Sequence, residues 1–204
     1  MQKTYVFDQP ENDPQQWYWF ADALSKQEVD RVIKMANALP QVRATTIGDD
    51  GNETAPTENR SSMVKWIPQN LEWAWLYERL TELAVEANYE TWGFDLVSAP
   101  ENIQYTEYYG TDNGHYGWHA DIGPDILSSR KVSITVQLSE ANEYEGGDLQ
   151  LFRGGDYKEE SFDTAYRGAG SVFIFPSYLL HRVTPVTKGT RKSFVLWLGG
   201  GHYR

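Results

Sequence analysis

His119 and Asp121 stand one residue apart in the stretch His115-Tyr116-Gly117-Trp118-His119-Ala120-Asp121. On an extended chain, side-chain direction repeats every two residues, so this imidazole and this carboxylate leave the same face. Side by side they make half of a divalent-metal site. One more imidazole would complete a two-His-one-carboxylate set that leaves three positions of an octahedral ion open, the arrangement of non-haem Fe(II) and oxygen chemistry. The chain has four histidines, at 115, 119, 181 and 202. His181 is the best third ligand. It follows an expected strand over 172–175, about sixty residues from Asp121, which suits two non-adjacent strands facing each other across a barrel. His115 and His202 read as surface residues, and Asp112, Asp125 and Asp148 as turn residues.

A second chemical feature lies ten residues beyond His181. If the segment around Arg191 is a strand, Arg191, Ser193, Val195 and Trp197 share one face. Lys192, Phe194, Leu196 and Leu198 share the other. The second set suits an apolar layer under helices, with Lys192 exposed or snorkelling past it. Arg191 then points inward, where an unpaired guanidinium is costly. No acidic residue lies on that face of the strand. A bound carboxylate would resolve the charge, because the guanidinium fork donates two parallel hydrogen bonds to one.

These residues need a scaffold. Ser25 and Glu28 have the spacing of a capping box, and Val29, Val32, Ile33 and Ala36 follow helical spacing up to Pro40. A second helix begins near Asn70, with Trp73, Leu76, Leu80, Leu83, Ala84 and Ala87 on one face and Asn88 as its stop. Aromatic runs at 5–7 and 17–20 read as short edge strands. The segment 44–62, rich in Gly, Asp, Asn, Thr and Pro, reads as a long mobile loop that is either a lid or an insertion without a role. It closes on Arg60, Ser61 and Ser62. From about 93 the apolar period becomes two, over 103–108, 132–138, 149–151, 172–175 and 194–198. Turn signals fall at Gly146-Gly147, Gly154-Gly155, Gly168–Gly170 and Lys188-Gly189. Short strands between glycine turns indicate a sandwich or barrel. The expected fold is mostly β with N-terminal helices (α+β), a double-stranded β-helix (jelly roll) with the helices packed on one sheet. A single domain of 204 residues is expected, 1–92 supporting a core over 93–204.

Composition narrows the partners. With 29 acidic and 18 basic residues the net charge is −11, which repels phosphate backbones and disfavours nucleic acid. Cysteine is absent, which excludes disulfides, zinc-thiolate sites and thiol nucleophiles. The first residues show no basic start followed by an apolar run, and no segment is apolar for long enough to span a bilayer. A cytoplasmic location without membrane attachment is the expectation.

The motifs in order resemble the Fe(II)/2-oxoglutarate-dependent dioxygenase superfamily, and within it the prolyl 4-hydroxylase-like, PKHD-type branch. The pieces are Tyr116-x-x-His119-x-Asp121, then Glu145-Gly146-Gly147-Asp148-Leu149, then the run from Gly170 to Ser177. His181-Arg182-Val183-Thr184-Pro185-Val186-Thr187-x-Gly189-x-Arg191 follows, ending at Trp197. The resemblance implies that His119, Asp121 and His181 hold Fe(II), and that Arg191 pairs with the distal carboxylate of 2-oxoglutarate. Tyr108, or else Tyr109, would help hold this cosubstrate, in a pocket lined by Thr135 and Gln137. Gln137 stands where the family often has Tyr, and Val195 where it often has Thr. The implied reaction is hydroxylation of a C–H bond with O2, coupled to conversion of 2-oxoglutarate to succinate, with ascorbate as a reductant. The implied substrate is a prolyl residue in a peptide or protein, with a free amino acid or other small molecule as the alternative. Tyr116, Trp118, Arg60 and Trp197 are candidate substrate residues. A non-enzymatic metal-holding jelly roll is the competing class, and Arg191 separates the two, since a structural metal site needs no buried cation facing it.

Overall fold

The computed structural model describes residues 16–47, 53–54, 58–155, 158 and 161–203. The aromatic run at 5–7 lies outside the described residues, whereas 17–20 supplies strand β1 (Tyr18–Phe20). Helix α1 (Lys26–Ala36) carries the expected capping box. The Ser25 hydroxyl accepts from the Glu28 N–H, and the Glu28 carboxylate accepts from the Ser25 N–H at 2.7 Å. The helix stops at Ala36, before Pro40. Its last carbonyls accept from the N–H groups of Ala38 and Leu39, a tightened final turn that closes the helix without the proline.

Short strand β2 (Val42–Arg43) precedes the segment read as a loop, β3 (Thr46–Ile47), β4 (Glu53–Thr54) and β5 (Arg60–Ser61) lie within it, and β6 (Met63–Ile67) follows. Residues 48–52 and 55–57 of that segment lie outside the described residues. Helix α2 (Ala74–Glu90) starts later than Asn70, whose side-chain oxygen instead accepts from the N–H groups of Glu72 and Trp73 in the preceding turn. Asn88 does not end the helix. Its amide makes two bonds to the backbone of Phe94, both 2.9 Å, and so ties the following chain to the last turn.

The remaining strands are β7 (Leu96–Ser98), β8 (Ile103–Tyr109), β9 (His115–His119), β10 (Arg130–Gln137), β11 (Tyr144–Gly146) and β12 (Leu149–Phe152), followed by β13 (Phe162–Thr164), β14 (Val172–Pro176), β15 (His181–Val183) and β16 (Val186–Gly200). One antiparallel sheet runs β1-β14-β10-β16-β8-β6-β2, with β11 and β7 also paired to β16. A second runs β13-β12-β15-β9-β5, and β3 pairs β4. Strands from before residue 92 thus join both sheets. The turn expected at Lys188-Gly189 is absent, because β16 continues through it. Gly189 has φ +73, and a Cβ there would lie 2.1 Å from the Glu143 carbonyl oxygen. The glycine allows β11 to approach rather than reversing the chain.

The helices cover one face of the larger sheet. Val32, Leu76, Leu80 and Ala84 pack with Ile103, Ile134, Ile174, Phe194 and Leu196, all fully buried. Each large aliphatic side chain buried this way contributes about 1.5–3 kcal/mol. The alternate residues of β8, β10 and β16 look the other way, toward the second sheet. No helix among the described residues is long and apolar enough to cross a membrane.

Candidate metal centre

Two histidines from neighbouring strands and one carboxylate meet between the sheets. β9 and β15 pair antiparallel with His119 opposite His181. Asp121 follows β9, and its N–H donates to the Ser177 carbonyl at 2.8 Å. The two imidazoles and the carboxylate offer ligand atoms all within 4.8 Å of one another, and among the described residues no other such cluster of His, Asp or Glu occurs. Each Nδ1 lies on a backbone carbonyl, His119 on Gly117 at 2.8 Å and His181 on Leu179 at 2.9 Å. A carbonyl only accepts, so the proton of each neutral ring sits on Nδ1 and the Nε2 lone pair faces inward. Those Nε2 atoms are each 3.6 Å from an Asp121 oxygen, too far for a hydrogen bond. Two lone pairs and an anion thus converge with no proton between them, which is the donor set that a divalent cation satisfies.

Electrostatics agree. Burial, and then the facing His181, push the His119 pKa down, so it stays neutral. Burial alone would raise the Asp121 carboxyl. His181, His119 and the Ser133 hydroxyl together hold it below its ordinary value. Ser133 Oγ donates to Asp121 Oδ2 at 2.6 Å and lies 3.0 Å from Ser177 Oγ. Arg130 Nη1 donates to the Asp121 carbonyl at 3.0 Å. Its guanidinium pairs with Glu101 through two 2.6 Å bonds and lies over the Trp197 ring. Ser133, Arg130 and Glu101 belong to none of the sequence motifs, and Ser177 enters only as the end of the run from Gly170. The available signal was the alternation that puts Ser133 on one face with Thr135 and Gln137.

The cluster lines a cavity of about 1210 Å³. Tyr108, Thr135, Tyr116, Arg60, Trp197 and Arg191 all border it. Arg191 is 2% exposed, donates from Nη1 to Ser193 Oγ at 3.1 Å, and has no carboxylate partner among the described residues. Tyr108 lies beneath that guanidinium, 5.5 Å away. Tyr109 points to the other side of β8, where its hydroxyl donates to Glu107. Between the two tyrosines, Tyr108 is the one that faces the cavity.

A bulge re-aims β9. Tyr116 pairs with Val183 and His119 with His181, so β9 carries one residue more than β15 across that interval. Tyr116 therefore stacks on His119 at 3.5 Å, inside the cavity. Trp118 is left on the outer side, where it packs with Phe152, Phe162 and Arg182 and does not line the cavity. The substrate rim expected to include Trp118 is bordered instead by Tyr116, Arg60 and Trp197. At the bulge, Gly117 lies so close to Asn59 that a Cβ would sit 1.9 Å from its side-chain oxygen. Arg60 is 6% exposed, lies over the Tyr116 ring at 4.4 Å and donates to Ser62 Oγ and the Thr45 carbonyl. Gln137 does not border the large cavity. Its amide donates to Tyr144 Oη and to the Ser139 carbonyl, and it lines a smaller void beside Arg191.

The sheets and this donor set make a scaffold able to hold a divalent metal ion, and comparison with known proteins says which family carries it. Residues 103–199 match the model of the 2OG-Fe(II) oxygenase superfamily. The chain belongs to that superfamily, in its PKHD-type branch. It is 39% identical over 90 residues to a PKHD-type hydroxylase of Alteromonas mediterranea, covering 41% of this chain and 37% of that protein. It is 31% identical over 159 residues to one from Acidovorax ebreus, covering 74% of this chain and 66% of that protein. The matched stretch of the first relative is thus under two fifths of its length. In fold, the chain is similar to the crystal structure of a Pseudomonas putida prolyl-4-hydroxylase, with TM-score 0.66, 20% identity, and coverage of 92% of this chain and 94% of that one.

Proposed function

We propose that this protein is an Fe(II)- and 2-oxoglutarate-dependent hydroxylase acting on a prolyl residue of a peptide or protein, built as one double-stranded β-helix domain. The observation that carries the reading is the convergence of two Nε2 lone pairs and one carboxylate beside a buried guanidinium with no carboxylate partner, in one cavity. His119, Asp121 and His181 would hold Fe(II), and Arg191, with Tyr108 and Thr135, the distal carboxylate of 2-oxoglutarate. Iron, when bound with 2-oxoglutarate and O2, supplies the oxidising chemistry that converts the cosubstrate to succinate and hydroxylates a C–H bond.

The chain's own residues bind, orient and shield. The Gly117 and Leu179 carbonyls keep both imidazoles in the ligating tautomer. Ser133 and Arg130 hold Asp121 by its carboxylate and its backbone. Tyr116, Arg60 and Trp197 border the cavity beside the metal ligands and are the candidate substrate contacts. Proteins of similar fold support the substrate class. Another solved structure of similar fold, with TM-score 0.65, is a prolyl hydroxylase in complex with a peptide fragment of a hypoxia inducible factor degradation domain.

The test has two stages. Anaerobic protein with Fe(II) and 2-oxoglutarate should develop the weak visible charge-transfer band of the chelate. A mass-shift screen of prolyl peptides, other peptides and free amino acids should then show +O products. Absence of both the band and succinate formation would remove the oxygenase reading. Product from free amino acids alone would remove the peptide substrate and leave the oxygenase.

A further inference from the structure

Gln137, on β10, holds a phenol that the structure brings to it from another strand. Tyr144, on β11, is 4% exposed. Its hydroxyl oxygen accepts from Gln137 Nε2 at 2.8 Å and from Arg167 Nε at 3.2 Å. A phenol oxygen has two acceptor positions and one proton. Both acceptor positions here face N–H groups, which only donate. The phenolic proton remains, and among the described residues it has no acceptor.

Tyr144, Gln137, Thr135, Arg167 and Arg191, among others, line a void of about 10 Å³. The volume is that of roughly one water-sized atom. The void shares Thr135, Leu149 and Arg191 with the large cavity. Tyr144 and Arg191 both approach Gly147, where a Cβ would lie 3.2 Å from Arg191 Cδ and 3.2 Å from Tyr144 Cδ2. Two cations flank the spot. Arg191 has no carboxylate partner among the described residues. Arg167 lies over the Tyr144 ring, donates from Nη2 to the Tyr144 carbonyl at 2.8 Å, and meets Asp148 at 3.8 Å. An unspent phenolic proton, an unpaired guanidinium and room for one oxygen atom together describe half of a carboxylate site.

We propose that Tyr144 donates its phenolic proton to the distal carboxylate of the cosubstrate beside Arg191, with Gln137 and Arg167 acting as positioning residues that orient the hydroxyl. This rests on the 2-oxoglutarate reading above and goes beyond it. It assigns a cosubstrate contact outside the resemblance motifs and gives Gln137 a part in orienting it.

The alternative role for Tyr144 is a strut that fastens β11 to β10 through Gln137. Titration of Mn(II)-loaded protein with 2-oxoglutarate and, separately, with pyruvate distinguishes the two, because pyruvate has the same 2-oxo acid end and lacks the distal carboxylate. Tyr144→Phe should weaken 2-oxoglutarate binding by about ten- to a hundredfold, the loss expected for one hydrogen bond to a charged group, and leave pyruvate binding unchanged. Unchanged 2-oxoglutarate binding, or an equal loss for both ligands, overturns the proposal. Should Tyr144→Phe fail to fold, Gln137→Met keeps the ring and releases the hydroxyl. It should weaken 2-oxoglutarate several-fold and spare pyruvate, and the opposite result overturns the proposal as well. If the unaltered protein with Mn(II) binds pyruvate but not 2-oxoglutarate, the cosubstrate reading itself falls, an outcome visible before any variant is made.

Discussion

The two faces of the larger sheet are made by the same strands and solve opposite problems. On the helix side, Phe194, Leu196, Ile134 and Ile174 meet Leu76, Leu80 and Val32, and every contact is supplied by the chain. On the cavity side, alternate residues of those strands present Arg191, Ser193, Thr135 and Ser133. There the groups are held in place but not all satisfied. The imidazole lone pairs point at one another's carboxylate neighbour, and the Arg191 guanidinium has no carboxylate among the described residues. One face is complete as folded. The other would be completed by a cation and an anion, which is what the proposed function supplies.

The contrast can be broken most sharply at the ligands. Replacing His119 with Ala should abolish turnover and tight Fe(II) binding while leaving the melting temperature of metal-free protein within a few degrees, as calorimetry would show. A large fall in metal-free stability would mean that His119 is a core residue and not an incomplete site. Leu80→Ala should do the reverse. It should lower stability by about 2–5 kcal/mol through the cavity it opens, read by denaturant unfolding, with Fe(II) affinity retained by the folded fraction.

Arg191→Leu should split the two properties. Loss of the cation should weaken 2-oxoglutarate binding by about 3–5 kcal/mol, while removal of an unpaired buried charge should leave metal-free stability unchanged or raised. A clear drop in stability would show that the chain already satisfies this guanidinium. Ser133→Ala should lower metal affinity by about 10–100-fold, measured by competition with a chelator, without loss of the ion's stoichiometry.

The smallest effect is on pH. The folded protein resists protonation of His119 through burial and the facing His181, so its pKa is below the ordinary 6.5. The unfolded chain accepts that proton near 6.5. The resulting stabilisation is therefore present above about 6.5 and lost as pH falls further. Metal-free protein should melt at a lower temperature at pH 5 than at pH 7.5, and His119→Ala should reduce that difference.

Much of the cavity side was readable because strands have period two. Alternation along β16 separates Arg191 from Phe194, and His-x-Asp brings two candidate ligands to one site. The capping box at Ser25 was equally local. Other features were not legible, because they depend on which backbone lies alongside. The bulge in β9 turns Tyr116 inward and Trp118 outward, and it shows only once β9 is set against β15. The turn expected at Gly189 was misread because a left-handed glycine serves close approach as well as reversal. Asn88 stops nothing, since its amide is occupied by a backbone six residues on.

By itself the amino-acid order singled out the three candidate ligands, the inward cation, the two helices and the alternating strands. These follow from local periodicity and from the chemistry of single side chains. Tertiary structure alone decided that Tyr144 reaches Gln137, that Ser133 grips Asp121 and that Arg130 braces its backbone. Such contacts join segments whose separation along the chain carries no information about distance, until strand pairing and burial place them together.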